Sequence, residues 1–112
     1  VMKKFYYNFL NSMNGLKEAF KEHSFISEII GGIILIPYLI FSEMDYLLKL
    51  IILTVYFLLL AFEIMNTAIE KISDKITTEI DLDIKKIKDL SSLSVFIVLI
   101  SLIILLILSI FI

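Results

Sequence analysis

From Leu93 to Ile112 the chain runs for about 20 residues without a charge, which is the length of helix that crosses the hydrocarbon core of a bilayer. Two more apolar stretches precede it, Ile26 to Phe41 and Leu47 to Ala68. Three spanning helices in a single unit of 112 residues leave little room for anything else. The composition agrees: 60% of the residues are apolar and the mean hydropathy is +1.00, well above a soluble domain. We expect an all-α integral membrane protein forming one membrane domain over residues 1–112, with spans over 26–44, 47–70 and 91–112. The first span contains Gly31, Gly32 and Pro37, so a kink is expected there.

Residues 1–24 have a different pattern. Phe5, Phe9, Met13, Leu16 and Phe20 recur every three or four positions, with Lys3, Lys4, Lys17 and Lys21 among them. That spacing predicts an amphipathic helix lying on the bilayer surface. Lys3 to Tyr7 lack the apolar core of a signal peptide, so insertion is expected to rely on the internal spans. Lysines also orient the chain. They cluster before the first span and again at Lys71, Lys75, Lys85, Lys86 and Lys88, whereas the first connection, SEMD, is acidic. The amino terminus and second connection are therefore expected in the cytoplasm, and the carboxyl terminus outside.

Several function classes are excluded. A net charge of -2, with no basic stripe interleaved with aromatics, argues against nucleic acid as a partner. With no cysteine and only His23, thiolate chemistry and His-rich metal sites are absent. There is no GxxxxGK[ST] loop, kinase Gly-rich loop, HRD or DFG set, or GxSxG.

What remains is a row of polar groups following an apolar run, FEIMNTAIEKISDK. At about 100° per residue, Glu63, Asn66, Glu70 and Asp74 fall within a wedge of roughly 80°. A charge at mid-bilayer costs about 2.5–3.5 kcal/mol, so this face should meet other helices, water or a ligand. It suits proton acceptance, and equally an interhelical seam that only holds the bundle together. Glu22 and Glu28 stand at the entry to the first span, where they would come near Glu70 if the two helices pack. Carboxylates meeting there favour a hard cation, magnesium or calcium. Lys85, Lys86 and Lys88 in IKKIKD suit anionic headgroups or a phosphate.

The segment ExxNTAIE (Glu63 to Glu70), followed by Asp74, Glu79, the KD pair Lys88–Asp89 and Ser92, resembles the signature of the small bacterial membrane diacylglycerol kinases, a family that includes undecaprenol kinases. The likeness covers nearly the whole chain, and upstream GLKEAFKEHSFISE resembles the family's GL…ExxFxxE segment through Gly15, Leu16, Glu22, Phe25 and Glu28. It implies a homotrimer of three-span subunits with surface helices and sites between subunits, phosphorylating a lipid hydroxyl with magnesium ATP at the bacterial inner membrane. By that resemblance Glu63 is the general base on the lipid hydroxyl, and Glu22 and Glu70 hold Mg2+. Asn66, Glu79, Lys88 and Asp89 position ATP, Lys4 lies at the nucleotide and lipid headgroup, and Ser92 lies near the lipid. The chain departs from the family pattern at Asn11, where tyrosine is common, at Ile26, where arginine is common, and at Leu90 and Leu93, where small residues are favoured; it also has no tryptophan. Phosphoryl transfer needs positioning and charge neutralisation more than covalent apparatus, so a few aligned side chains suffice. Diacylglycerol is the expected acceptor, with undecaprenol as the alternative. A rival of another class is a cation-coupled transporter in which Glu63 binds and releases a proton.

Overall fold

A computed structural model describes the whole chain, Val1–Ile112. It is all-helical: α1 (Met2–Ala19), α2 (His23–Phe41), α3 (Tyr46–Ile76) and α4 (Leu82–Phe111). The last three are long and apolar enough to cross a membrane. Helix is the form such runs take in lipid, because every backbone polar group is then satisfied within its own segment.

Local chemistry sets the ends. After α1 the chain tightens into two three-residue turns, Lys21 N–H to Glu18 O at 3.1 Å and Glu22 N–H to Ala19 O at 3.0 Å. Glu22 then takes an extended conformation that redirects the chain into α2. The Phe20 and Phe25 rings pack edge to face across this corner, 5.3 Å apart. Between α2 and α3, Lys49 reaches back and donates from Nζ to the Ser42 carbonyl at 2.8 Å, occupying one acceptor at the end of α2. Helix α3 ends at the β-branched Thr77, whose backbone is extended. Asp81 caps α4, its carboxylate accepting from the N–H groups of Asp83 and Ile84 at 2.9 and 3.0 Å. That cap explains why α4 starts well before its apolar stretch, carrying Lys85 to Asp89 as two charged turns.

Helices α3 and α4 form the most extensive pair, and α2 packs on α3. The core is small: Leu35 and Leu39 of α2, Ile52, Tyr56 and Leu59 of α3, and Leu102 of α4. Only 14 of the 112 residues are buried, so most of the apolar surface of the three long helices faces outward. Helix α1 touches the bundle only near its carboxyl end, where Gly15, Glu18 and Ala19 line a cavity with Ile64, Thr67, Ala68 and Lys71 of α3.

At Gly32 of α2 the Tyr56 side chain of α3 packs directly against the backbone. A Cβ there would overlap the Tyr56 ring and hydroxyl, while one at Gly31 would meet open space. Tyr56 in turn donates to the Glu28 carbonyl at 2.9 Å. Gly32→Ala is therefore expected to cost about 1–3 kcal/mol by overpacking, lowering the thermal midpoint in detergent, while Gly31→Ala leaves it unchanged. Equal midpoints for the two variants would refute the close approach.

Candidate functional site

The three polar groups that begin the α3 face fall along a gradient of burial. Glu63 is 7% exposed and Asn66 9%, whereas Glu70, two turns on from Glu63, is exposed. At 1.5 Å per residue the two carboxylates are about 10 Å apart along the helix axis. Glu63 accepts a hydrogen bond from the Ser24 hydroxyl at 2.6 Å. Asn66 donates from Nδ2 to Glu70 Oε1 at 2.9 Å, leaving its own Oδ1 buried without a partner. Asp74, next on the same face, pairs with Lys88 of α4 at 2.6 Å.

The first turns of α2 complete this end of the bundle. Glu22 lies 3.7 Å from the Lys71 ammonium, beside Glu70 in sequence. Glu28, expected near Glu70, instead lies within hydrogen-bonding reach of Glu63, with its Oε2 buried and unpartnered. Two carboxylates in contact repel unless a proton or cation lies between them. The sequence alone points to no role for Ser24 and none specific to Glu28. The pattern S-x-x-x-E, with a serine one turn before an acid on the facing helix, was the available signal.

The remaining candidates divide into separate groups. Glu79 and Lys88 line one cavity, shared with Asp81 and Lys85. Asp89 faces another, with Lys86, Leu90 and Leu93, and is paired with Lys85 at 2.7 Å. Ser92 is exposed, while its neighbour Ser91 is buried with an unpartnered hydroxyl. Lys4 is exposed in the first turns of α1, about 16 Å along that helix from Gly15, and no contact joins it to the other candidates within one chain. On α1, Lys21 holds the Glu18 carboxyl below its ordinary value, with a smaller contribution from Lys71.

Chemically, this end of the bundle offers a sheltered acid with a hydroxyl donor, exposed carboxylates, and lysines on α3 and α4. No three carboxylates or imidazoles converge within one chain. Magnesium commonly takes only one or two carboxylates and completes its shell with phosphate and water. Glu22, whose side chain caps no helix, and the exposed Glu70 are oxygen donors of that type.

Comparison with known proteins gives the same direction. No curated protein matches the chain, but the sequence model of the family described as "Prokaryotic diacylglycerol kinase" matches residues 10–111. The match takes in the second half of α1, all of α2, α3 and α4 and every candidate acid, so the chain belongs to the prokaryotic diacylglycerol kinase family, a family of lipid kinases.

Proposed function

We propose that this chain transfers the γ-phosphoryl group of ATP to the hydroxyl of diacylglycerol, forming phosphatidic acid, as a homotrimer at the cytoplasmic face of a bacterial inner membrane. The observation that carries this reading is one polar face on α3 with a buried acid, Glu63, two turns from an exposed one, Glu70. A lipid hydroxyl reaches the first from within the bilayer, and a nucleotide reaches the second from water.

Glu63 accepts the hydroxyl proton as the lipid oxygen bonds to the γ-phosphorus. The bond from that phosphorus to the β,γ-bridging oxygen breaks, and ADP leaves with its electron pair. Ser24, bonded to Glu63 Oε1, fixes the carboxyl so that its second oxygen can face the substrate. Glu22 and Glu70 hold Mg2+, which when bound neutralises triphosphate charge. Asn66 aligns Glu70 through its amide. Lys88 and Glu79, on one cavity, bind ATP together with Asp89. Lys4 serves the nucleotide or the lipid headgroup, and Ser92 the lipid. Helix α1 lies on the cytoplasmic surface of the bilayer. Trimerisation is supported by the large apolar area one chain leaves uncovered, shared between neighbouring copies and lipid.

Purified protein in lipid or detergent, given magnesium ATP with diacylglycerol or with undecaprenol, should phosphorylate diacylglycerol at the higher kcat/KM. A preference for undecaprenol would change the acceptor and keep the chemistry. Phosphorylation of neither by folded protein would remove the kinase reading and favour cation transport through Glu63.

A further inference from the structure

Lys71 has no part in the scheme above, yet its ammonium stands beside a proposed metal ligand. It lies 3.7 Å from Glu22 Oε1, and shares a cavity of about 180 Å³ with Glu18, Gly15 and Ala19 of α1 and with Thr67 and Ala68 of its own helix. Small residues on both helices leave that cavity open above the lysine. The Glu22 carboxylate spends none of its acceptors on capping α2, so Lys71 is its one charged partner.

The other paired cations at this end are held more tightly. Lys21 is bound to Glu18 at 2.9 Å, Lys85 to Asp89 at 2.7 Å and Lys88 to Asp74 at 2.6 Å. Of the four ion pairs in the chain, Lys71–Glu22 is the longest, and its lysine is 58% exposed. A solvated pair at that distance is worth about 1 kcal/mol or less. It is the pair most readily exchanged when a divalent ion competes for the carboxylate. Displaced from Glu22, the ammonium remains on α3 one residue from Glu70, where a triphosphate would otherwise meet mainly carboxylates.

We propose that Lys71 is a further nucleotide-binding residue, holding Glu22 in the empty enzyme and passing to the triphosphate when a divalent cation takes that carboxylate. The proposal rests on the kinase reading and adds a residue to it. Lys71 thus keeps the acidic site neutral before ATP arrives and supplies a phosphate donor afterwards.

The exchange gives two effects of opposite sign. In Lys71→Gln, affinity for the magnesium complex of the non-hydrolysable β,γ-imido analogue of ATP, measured by calorimetry, should fall about tenfold, the worth of one charge-assisted hydrogen bond. Mn2+ binding to the nucleotide-free protein, followed by electron paramagnetic resonance, should tighten about threefold because the competing ammonium is gone. Lys71→Arg, which keeps the charge, should restore nucleotide affinity. The KM for ATP should rise in Lys71→Gln while kcat stays within about twofold. Unchanged affinity for both the analogue and Mn2+ would make Lys71–Glu22 a surface ion pair only and overturn the proposal. Weakening of both together would also overturn it, as the mark of structural damage. Wild-type lipid phosphorylation assayed in parallel separates this failure from failure of the kinase reading itself.

Discussion

Glu63→Gln is expected to lower the rate of lipid phosphorylation by about 10³-fold, within the range that a positioned general base contributes. The substitution is close to isosteric. The Ser24 hydroxyl, which donates to Glu63 Oε1 at 2.6 Å, can donate equally to an amide oxygen, so the tie between α2 and α3 survives. Removing one carboxylate also relieves its contact with Glu28. Fold and thermal midpoint should hold or improve while turnover collapses, and ATP affinity should change little because the nucleotide residues lie toward the exposed end of the face. Steady-state phosphorylation of diacylglycerol, beside circular dichroism and a melting curve in the same detergent, tests all three. A variant that keeps a tenth or more of the wild-type rate would remove Glu63 from the proton transfer and return the polar face to a packing role.

The spans and the polar face were readable from periodicity because both are properties of one helix at a time. An uncharged run has few alternatives to crossing a bilayer, and Glu63, Asn66 and Glu70 lie on one side of α3 wherever the helix is placed. Glu63 and Asn66 lie against the bundle, while Glu70 is exposed although Ser73, a turn further on, is buried again, so Glu70 is turned toward the edge of the packed face. The pairings between helices could not be read this way. Glu28 was expected near Glu70, but α2 runs from its Glu22 corner past Glu70 toward Glu63, which brings Glu28 and Ser24 to the buried acid and leaves Glu22 with Lys71. The Tyr56 contacts with Gly32 and the Glu28 carbonyl accompany that offset, and no single-helix pattern encodes it. Asp74 shows the same limit, since its place in the acidic wedge was visible but its partner Lys88 is brought in by the turn at residues 77–81. The start of α4 lay outside the apolar run, and only the Asp81 cap marks it.

The second large effect concerns Glu22 and Glu70. Changing either to glutamine should lower kcat/KM by about 10²-fold at fixed magnesium, the upper end of what disturbing a metal's surroundings costs, and raise the magnesium concentration needed for half-maximal rate. The two sites differ in what the substitution leaves behind. A glutamine at 70 still accepts from Asn66 Nδ2, so that bond, 2.9 Å in the native chain, persists and the loss is of charge alone. A glutamine at 22 also ends the attraction to Lys71, freeing that ammonium, so part of the loss in nucleotide affinity should be offset. Glu22→Gln is thus expected to show the smaller rise in KM for ATP at saturating magnesium. If the two carboxylates serve the same phosphate group, the double variant should lose less than the product of the single losses, because removal of one already disables the other. Titrating magnesium at saturating ATP for the four proteins gives the complete cycle. Lower rates with an unshifted magnesium dependence would show that these acids act on the lipid or on packing, and would separate the metal assignment from the kinase assignment.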